Sequence, residues 1–235
     1  MADYTIGVTK LIPQKISILI PAHNEEKYIY QTVQALKSIG EVGELIVIDD
    51  ASNDKTAILA RQAGAMVISL PRNLGKGGAL NAGFAQATGD VIALVDGDLG
   101  SSAVEIAKLL APVLAGHADM TVAKFPKARK KGGFGLVKGL ARNGIKWYTG
   151  LETLAPLSGQ RVMTRQVADF LGGFESGYGV EVGMTIDVAR KGFRITEVEA
   201  NMTHAETGRD LHGFLHRGRQ FIDVARVLAS RLVVR

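Results

Sequence analysis

No cysteine occurs among the 235 residues. Disulfides, thiolate metal sites and cysteine nucleophiles are therefore excluded, and a reducing compartment suits the chain. No uninterrupted apolar run approaches the ~20 residues needed to cross a bilayer. Residues 1–14 carry Asp3 and polar side chains and lack the apolar core of a signal peptide. The expectation is a soluble, cytoplasmic protein, at most peripheral at the inner face of the membrane. Aromatic residues make up only 6%. No basic and aromatic platform for stacking bases stands out, so no nucleic-acid partner is expected. Internal repeats and low-complexity linkers are also missing, and a single domain over 1–235 is the expectation.

What is present begins with 46% apolar residues, enough for a sizeable core. Charge is split unevenly. Residues 1–123 hold 9 Lys/Arg against 13 Asp/Glu, and residues 124–235 hold 19 against 10. An acidic half able to hold a cation beside a basic half suits a substrate that carries phosphate.

The first half alternates regularly. Ile16–Ile20, Leu45–Ile48, Ala65–Ile68 and Val91–Val95 read as buried strands. Asn24–Ile39, Asp54–Ala63 and Gly77–Ala87 read as helices between them. Such alternation predicts an α/β fold with a Rossmann-like, mostly parallel central sheet and helices on both faces. Ligands then bind beyond the carboxyl ends of the strands. The second half reads as a basic, Gly-rich loop leading into a helix through Trp147, a strand within Leu157–Met163, a helix over Gly179–Arg190 and a strand over Arg194–Val198. A basic amphipathic helix over Gly213–Val234 closes the chain, with Phe214, Phe221, Val224, Val227 and Leu228 on one side and Arg226 and Arg231 on a solvated face.

Asp96-Gly97-Asp98 follows the run Val91–Val95. If the strand continues, alternation puts both acids on one face, where they repel unless a cation lies between them. Mg2+ or Mn2+ fits, since carboxylate oxygens suit hard divalent ions; a solvated Asp-Gly-Asp turn is the plain alternative. Pro21-Ala22-His23-Asn24-Glu25-Glu26 closes the first strand, with Asn24 either a helix cap or a ligand. Backbone donors at that helix start, beside Glu25, are expected to hold a polar ring edge or hydroxyls. Asp50 is placed to accept from a base or ribose, and Asp54 to cap the next helix. Arg72–Asn81 contains Gly75 and Lys76, a flexible backbone with a cation for an anionic ligand, but lacks the order of a P-loop.

These four motifs, in this order over residues 16–100, resemble the nucleotide-sugar half of GT-A fold glycosyltransferases, specifically glycosyltransferase family 2. The resemblance implies a metal-dependent, inverting transfer from a nucleotide-diphosphate sugar, most simply a UDP-sugar. Residues 16–123 would bind the donor and residues 124–235 the acceptor. Pro21, Ala22, Glu25 and Asp50 would line the base and ribose pocket, with Gly75 and Lys76 near the base and diphosphate. Asp96 and Gly97 would face the ribose or metal, and Asp98 would ligate Mn2+ or Mg2+. Ser158-Gly159-Gln160 resembles the family's short segment at the sugar, which adds Ser158 and Gly159. Gly177-Tyr178-Gly179-Val180-Glu181-Val182-Gly183 resembles the segment carrying the catalytic base; one acid stands there where many relatives have two, and Glu181 takes that role. Its alternative is a helix-capping carboxylate. His204 is placed like a third metal ligand or is structural, and Arg209 is expected to clamp a diphosphate or an acceptor phosphate.

The expected acceptor is phosphorylated, a polyprenyl phosphate first and a small phosphorylated metabolite second. A homodimer and a peripheral membrane contact through the last helix stand beside it as further partners. A sugar-phosphate nucleotidyltransferase would need a Gly-rich loop with Arg after the first strand, which Pro21-Ala22-His23-Asn24 does not supply. A non-catalytic nucleotide-binding protein is the other rival, disfavoured by the intact acid set.

Overall fold

The computed structural model of the protein describes residues 15–126, 135–175, 179–203 and 211–232, with side chains of the last helix from Gln220 onward. Strand β1 (Ile16–Ala22) is followed by α1 (Ile29–Lys37), β2 (Val42–Asp49), α2 (Thr56–Gln62), β3 (Met66–Ser69), α3 (Gly75–Phe84) and β4 (Val91–Leu94). A 3-10 turn at Gly100–Glu105 leads into α4 (Ile106–Leu114) and β5 (Met120–Lys124). Then come α5 (Gly135–Thr149), β6 (Arg161–Thr164), α6 (Arg165–Leu171), α7 (Val180–Arg190), β7 (Ile195–Glu199) and α8 (Leu211–Ser230). The α4–β5 pair and α6 are elements the sequence reading leaves unassigned.

The strands form one sheet in the order β3-β2-β1-β4-β6-β5-β7. β1, β2, β3 and β4 run parallel, as do β5 and β7; β6 is antiparallel to both its neighbours. Alternation along β1 explains why two cores form. Ile16, Ile18, Ile20 and Ala22 pack with Ile29, Val33 and Leu36 of α1 and Ile106, Leu109 and Val113 of α4. Leu19, Ile92, Leu94, Val122 and Met163 meet Leu80 of α3, Val167 of α6 and Met184 of α7 on the opposite face. A third cluster joins α5, α7 and α8 through Val137, Ile145, Ile186 and Val224.

The last helix departs from its expected faces. Val224, Val227 and Arg231 are buried, and Leu228 packs against the third cluster. These positions are spaced three, four and seven apart, so helical periodicity carries Arg231 onto the packed stripe. Its guanidinium meets Asp187 at 2.5 Å and Glu175 at 3.0 Å. Arg226 is solvated as expected, but Phe221 is also exposed. The helix packs on α5 where Leu228 lies over Gly144 and accepts a 2.6 Å bond from Tyr148. Phe214 lies outside the described side chains.

Candidate active site

The parallel register brings the ends of β1, β2, β3 and β4 to one edge of the sheet, and antiparallel β6 begins there. β4 ends at Leu94, so Asp96 and Asp98 sit in the turn beyond it rather than on a strand face. Strand alternation therefore does not align them. Packing fixes the turn instead. Thr32 of α1 donates to Gly97 O at 2.8 Å and accepts from Gly100 N at 2.8 Å. A side chain at 97 would crowd Ala22, Glu25 and Ile29. Both aspartates are half-buried, with Glu25 close to the same turn.

The segment after β1 is not a helix start. Helix α1 begins at Ile29, and Asn24 holds a left-handed φ of 58°. Its side chain accepts from Asn53 N at 2.9 Å. Backbone donors of Asn24, Glu25 and Glu26 go to Ser52, Thr56 and Asp54, so the donors expected to meet a ligand knit two loops together. This corrects the capping role given to Asn24: the chain must turn against the 50–56 loop before it can coil. Asp54 does sit ahead of α2, accepting from Thr56 N at 2.9 Å.

Pro21 and Ala22 end β1, and Asp50 N donates to Ala22 O at 2.8 Å. Asp50 is 4% exposed. Its carboxylate accepts from Leu74 N at 2.7 Å and Gly75 N at 2.8 Å, which pins the entry to α3. Gly75 has φ 73°, a left-handed turn that glycine adopts without strain. The next residue, Lys76, is thereby aimed at the sheet edge.

Lys76 Nζ lies 2.8 Å from Asp96 Oδ1 and 3.1 Å from Glu181 Oε1. Burial works against the ammonium, but the carboxylates of Asp96 and Glu181 outweigh it and hold its pKa above the ordinary lysine value. Gln160 donates to the other Asp96 oxygen at 2.8 Å. Register explains the meeting: Leu94 pairs with Arg161, and two residues further out Asp96 faces Gly159. Any side chain at 159 would collide with Lys76 and Asp96. Glu181 stands in the first turn of α7, where a helix N-terminus favours a carboxylate. Buried nearby are Ser158 Oγ, Gln160 Oε1 and Arg161 Nη2, each without a hydrogen-bond partner among the described residues. Groups of this kind are costly unless something satisfies them. Arg161 has no role in the sequence analysis, and Gln160 enters it only as the last residue of the Ser158-Gly159-Gln160 segment; a polar pair leading into the apolar Val162-Met163 was the available signal.

A family model for glycosyl transferase family 2 matches residues 17–172. The chain belongs to glycosyltransferase family 2. Among the relatives is a glucosyl-3-phosphoglycerate synthase of Mycolicibacterium smegmatis, 35% identical over 192 residues, 73% of this chain and 63% of that protein. The chain thus spans less than two thirds of that relative's length. An undecaprenyl-phosphate 4-deoxy-4-formamido-L-arabinose transferase of Pectobacterium atrosepticum is 37% identical over 41% of this chain and 33% of its own. The crystal structure of Mycobacterium tuberculosis glucosyl-3-phosphoglycerate synthase with Mn2+, UDP-glucose and phosphoglyceric acid superposes with a TM-score of 0.78 at 30% identity. That match covers 94% of this chain and 81% of the other. The seven-stranded sheet, helices on both faces, is the GT-A architecture of these glycosyltransferases.

Within this family 2 site the structure brings together Pro21, Ala22, Glu25, Asp50, Gly75, Lys76, Asp96, Gly97, Asp98, Ser158, Gly159 and Glu181 at one edge. His204 and Arg209 lie outside the described residues. Among the described residues no three His, Asp or Glu side chains cluster as a metal cage.

Proposed function

We propose that this chain is a metal-dependent glycosyltransferase that moves glucose or a similar sugar from a UDP-sugar to a small phosphorylated acceptor. The observation that carries the reading is the bridge Asp96–Lys76–Glu181, which joins the donor acid to the candidate base across one ammonium. Residues 16–123 form the donor half of one catalytic domain and residues 124–235 the acceptor half. A phosphoglycerate-like acceptor now ranks ahead of a polyprenyl phosphate. The synthases align with 73% of this chain and the undecaprenyl-phosphate enzyme with 41%.

Both Asp96 oxygens already have protein partners, Lys76 and Gln160. Asp98, the second acid of the Asp-Gly-Asp turn, is the carboxylate for Mn2+ or Mg2+, with Asp96 beside it and His204 as a further ligand. Hard oxygens on the rim of the turn fit such an ion, which keeps several ligand positions for phosphate and water. When bound, the cation neutralises charge on the departing diphosphate. Pro21, Ala22 and Glu25 line the base and ribose pocket, and Asp50 acts by holding Gly75 and Lys76 in place. Ser158 and Gly159 border the sugar. Glu181 accepts the proton of the acceptor hydroxyl, which directs attack from the face opposite the nucleotide and inverts the sugar carbon. Arg209 holds an acceptor or donor phosphate.

Incubation with UDP-glucose, Mn2+ and 3-phosphoglycerate tests this reading. Free UDP and a glucosylated product are expected; pyrophosphate release would identify a nucleotidyltransferase instead. Retention of configuration in the product, read by NMR coupling constants, would remove the base role of Glu181.

A peripheral membrane contact is supported by the outer face of α5, where Lys138, Arg142 and Lys146 recur at helical spacing beside exposed Leu136 and Trp147. Trp147 is the sole tryptophan. An emission blue shift with anionic vesicles is expected, and its absence sinks that contact. Exposed Phe221 and Ile222 on α8 support a homodimer, which light scattering decides. No helix among the described residues is long and apolar enough to cross a membrane.

A further inference from the structure

Arg161 is 1% exposed, at the start of β6, a strand flanked by β4 and β5. An arginine there is expensive to bury, and an apolar side chain of similar volume often does as well for stability. The hydrogen bonds of its guanidinium go to neutral oxygens. Nε donates to Ser158 O at 3.0 Å and Nη1 donates to Thr185 Oγ1 at 2.9 Å, while Nη2 has no hydrogen-bond partner among the described residues. Burial pushes its pKa down to about 10, against the opposing pull of Glu181 and Glu197.

Its hydrogen bonds lead in two directions. Thr185, one helical turn after Glu181, passes the contact on by donating to Glu181 O at 2.8 Å. Ser158, on the other side, begins the segment whose Gly159 packs on Lys76 and whose Gln160 holds Asp96. The sheet row extends the arrangement. Arg161 pairs with Val122, and Val122 pairs with Glu197. Glu197 accepts from the hydroxyl of Thr153 and from the backbone of Leu154 and Ala155, at 2.8 and 2.9 Å for the two amides. One row of the sheet therefore holds the 153–160 segment at both of its ends.

We propose that Arg161 is a positioning residue that locks the first turn of α7, and so Glu181, against the Ser158–Gln160 segment through Thr185 and the Ser158 carbonyl. The proposal rests on the reading of Glu181 as the base. A side chain serving only the core would affect stability and leave the chemical step alone. Arg161 acts on the relative placement of a base and a donor acid that come from different elements, where small displacements cost ~10–100-fold in rate.

The test pairs Arg161→Met with Thr185→Val and Thr185→Ser. UDP release from UDP-glucose with 3-phosphoglycerate and Mn2+ is measured, together with amide hydrogen exchange. Arg161→Met and Thr185→Val are expected to lower kcat by ~10-fold or more. KM for UDP-glucose stays within about twofold, and Thr185→Ser restores the rate because it keeps the hydroxyl. Exchange at residues 158–160 and 181–185 should rise in both damaging variants, a readout that needs no acceptor. Should Arg161→Met fail to fold, the Val and Ser pair at 185 decides alone. Full kcat with unaltered exchange in Thr185→Val overturns the proposal. The base reading fails separately, if Glu181→Gln keeps its turnover. If both act on one step, Thr185→Val has no further effect in the Glu181→Gln background, whereas a fully additive loss contradicts action through Glu181.

Discussion

At the amino edge of the sheet, Glu44 accepts from Ser17, from Thr88 N at 2.9 Å, from Thr88 Oγ1 at 2.6 Å and from Lys15 at 2.6 Å. Ser17 Oγ in turn accepts from Gly89 N at 2.8 Å, and Lys15 N donates to Asp90 at 2.9 Å. At the carboxyl edge, Ser158, Gln160 and Arg161 each keep a buried polar atom without a partner among the described residues, and an ammonium bridges two acids. The same sheet thus ends in a saturated clamp on one side and an unsatisfied cluster on the other. The first arrangement stabilises the fold. The second leaves its polar groups poised for a ligand.

Variants at the two edges should separate these roles. The largest effect is expected from Asp98→Asn, which should abolish Mn2+-dependent thermal stabilisation by UDP while leaving the unliganded melting temperature close to wild type. Unchanged UDP binding in Mn2+ would take the metal away from Asp98. Glu181→Gln should lower kcat by ~10²–10⁴ with UDP affinity retained; a wild-type rate means that the acceptor needs no base. Glu44→Ala at the opposite edge should cost ~1–3 kcal/mol of stability and leave KM for the donor alone. Its pH dependence carries a sign. Burial raises the Glu44 pKa, but the bonds from Lys15, Ser17 and Thr88 outweigh it and bring it from 4.5 to about 2. The stabilisation is complete above 4.5 and disappears as pH falls towards about 2, so the gap between wild type and Glu44→Ala should close over that window in acid denaturation. A gap that persists in acid would refute the assignment. Arg226→Ala, at an exposed 3.8 Å pair with Asp223, should shift stability by no more than ~0.5 kcal/mol.

Legibility in the sequence followed the period of the pattern. The buried runs Ile16–Ile20 and Val91–Leu94 announced themselves because a covered parallel strand is apolar at nearly every position, Ser17 being the exception in the first. The stretch holding α4 and β5 did not, since a short strand behind an almost wholly apolar helix gives no change of period to read. Asn24 looked like a cap because Asn often is one; the 50–56 loop claimed its side chain through contacts about 30 residues away. Arg231 was misplaced for the opposite reason, a charge being presumed solvated although its spacing from Val224 and Val227 put it on the packed stripe.

Residue order alone determined the family, the alternation of strands and helices, and the set of acids at the strand ends, because each is written in local pattern and spacing. Only the folded chain decided that Lys76 bridges Asp96 to Glu181, that Asp50 serves the backbone of Leu74 and Gly75, and that Arg161 lies buried between the Ser158–Gln160 segment and α7. Apart from the Arg161–Ser158 bond, which spans three positions, those contacts join residues some 20 to 105 positions apart. Their partners are chosen by sheet register and helix packing, and no local stretch of sequence encodes either one.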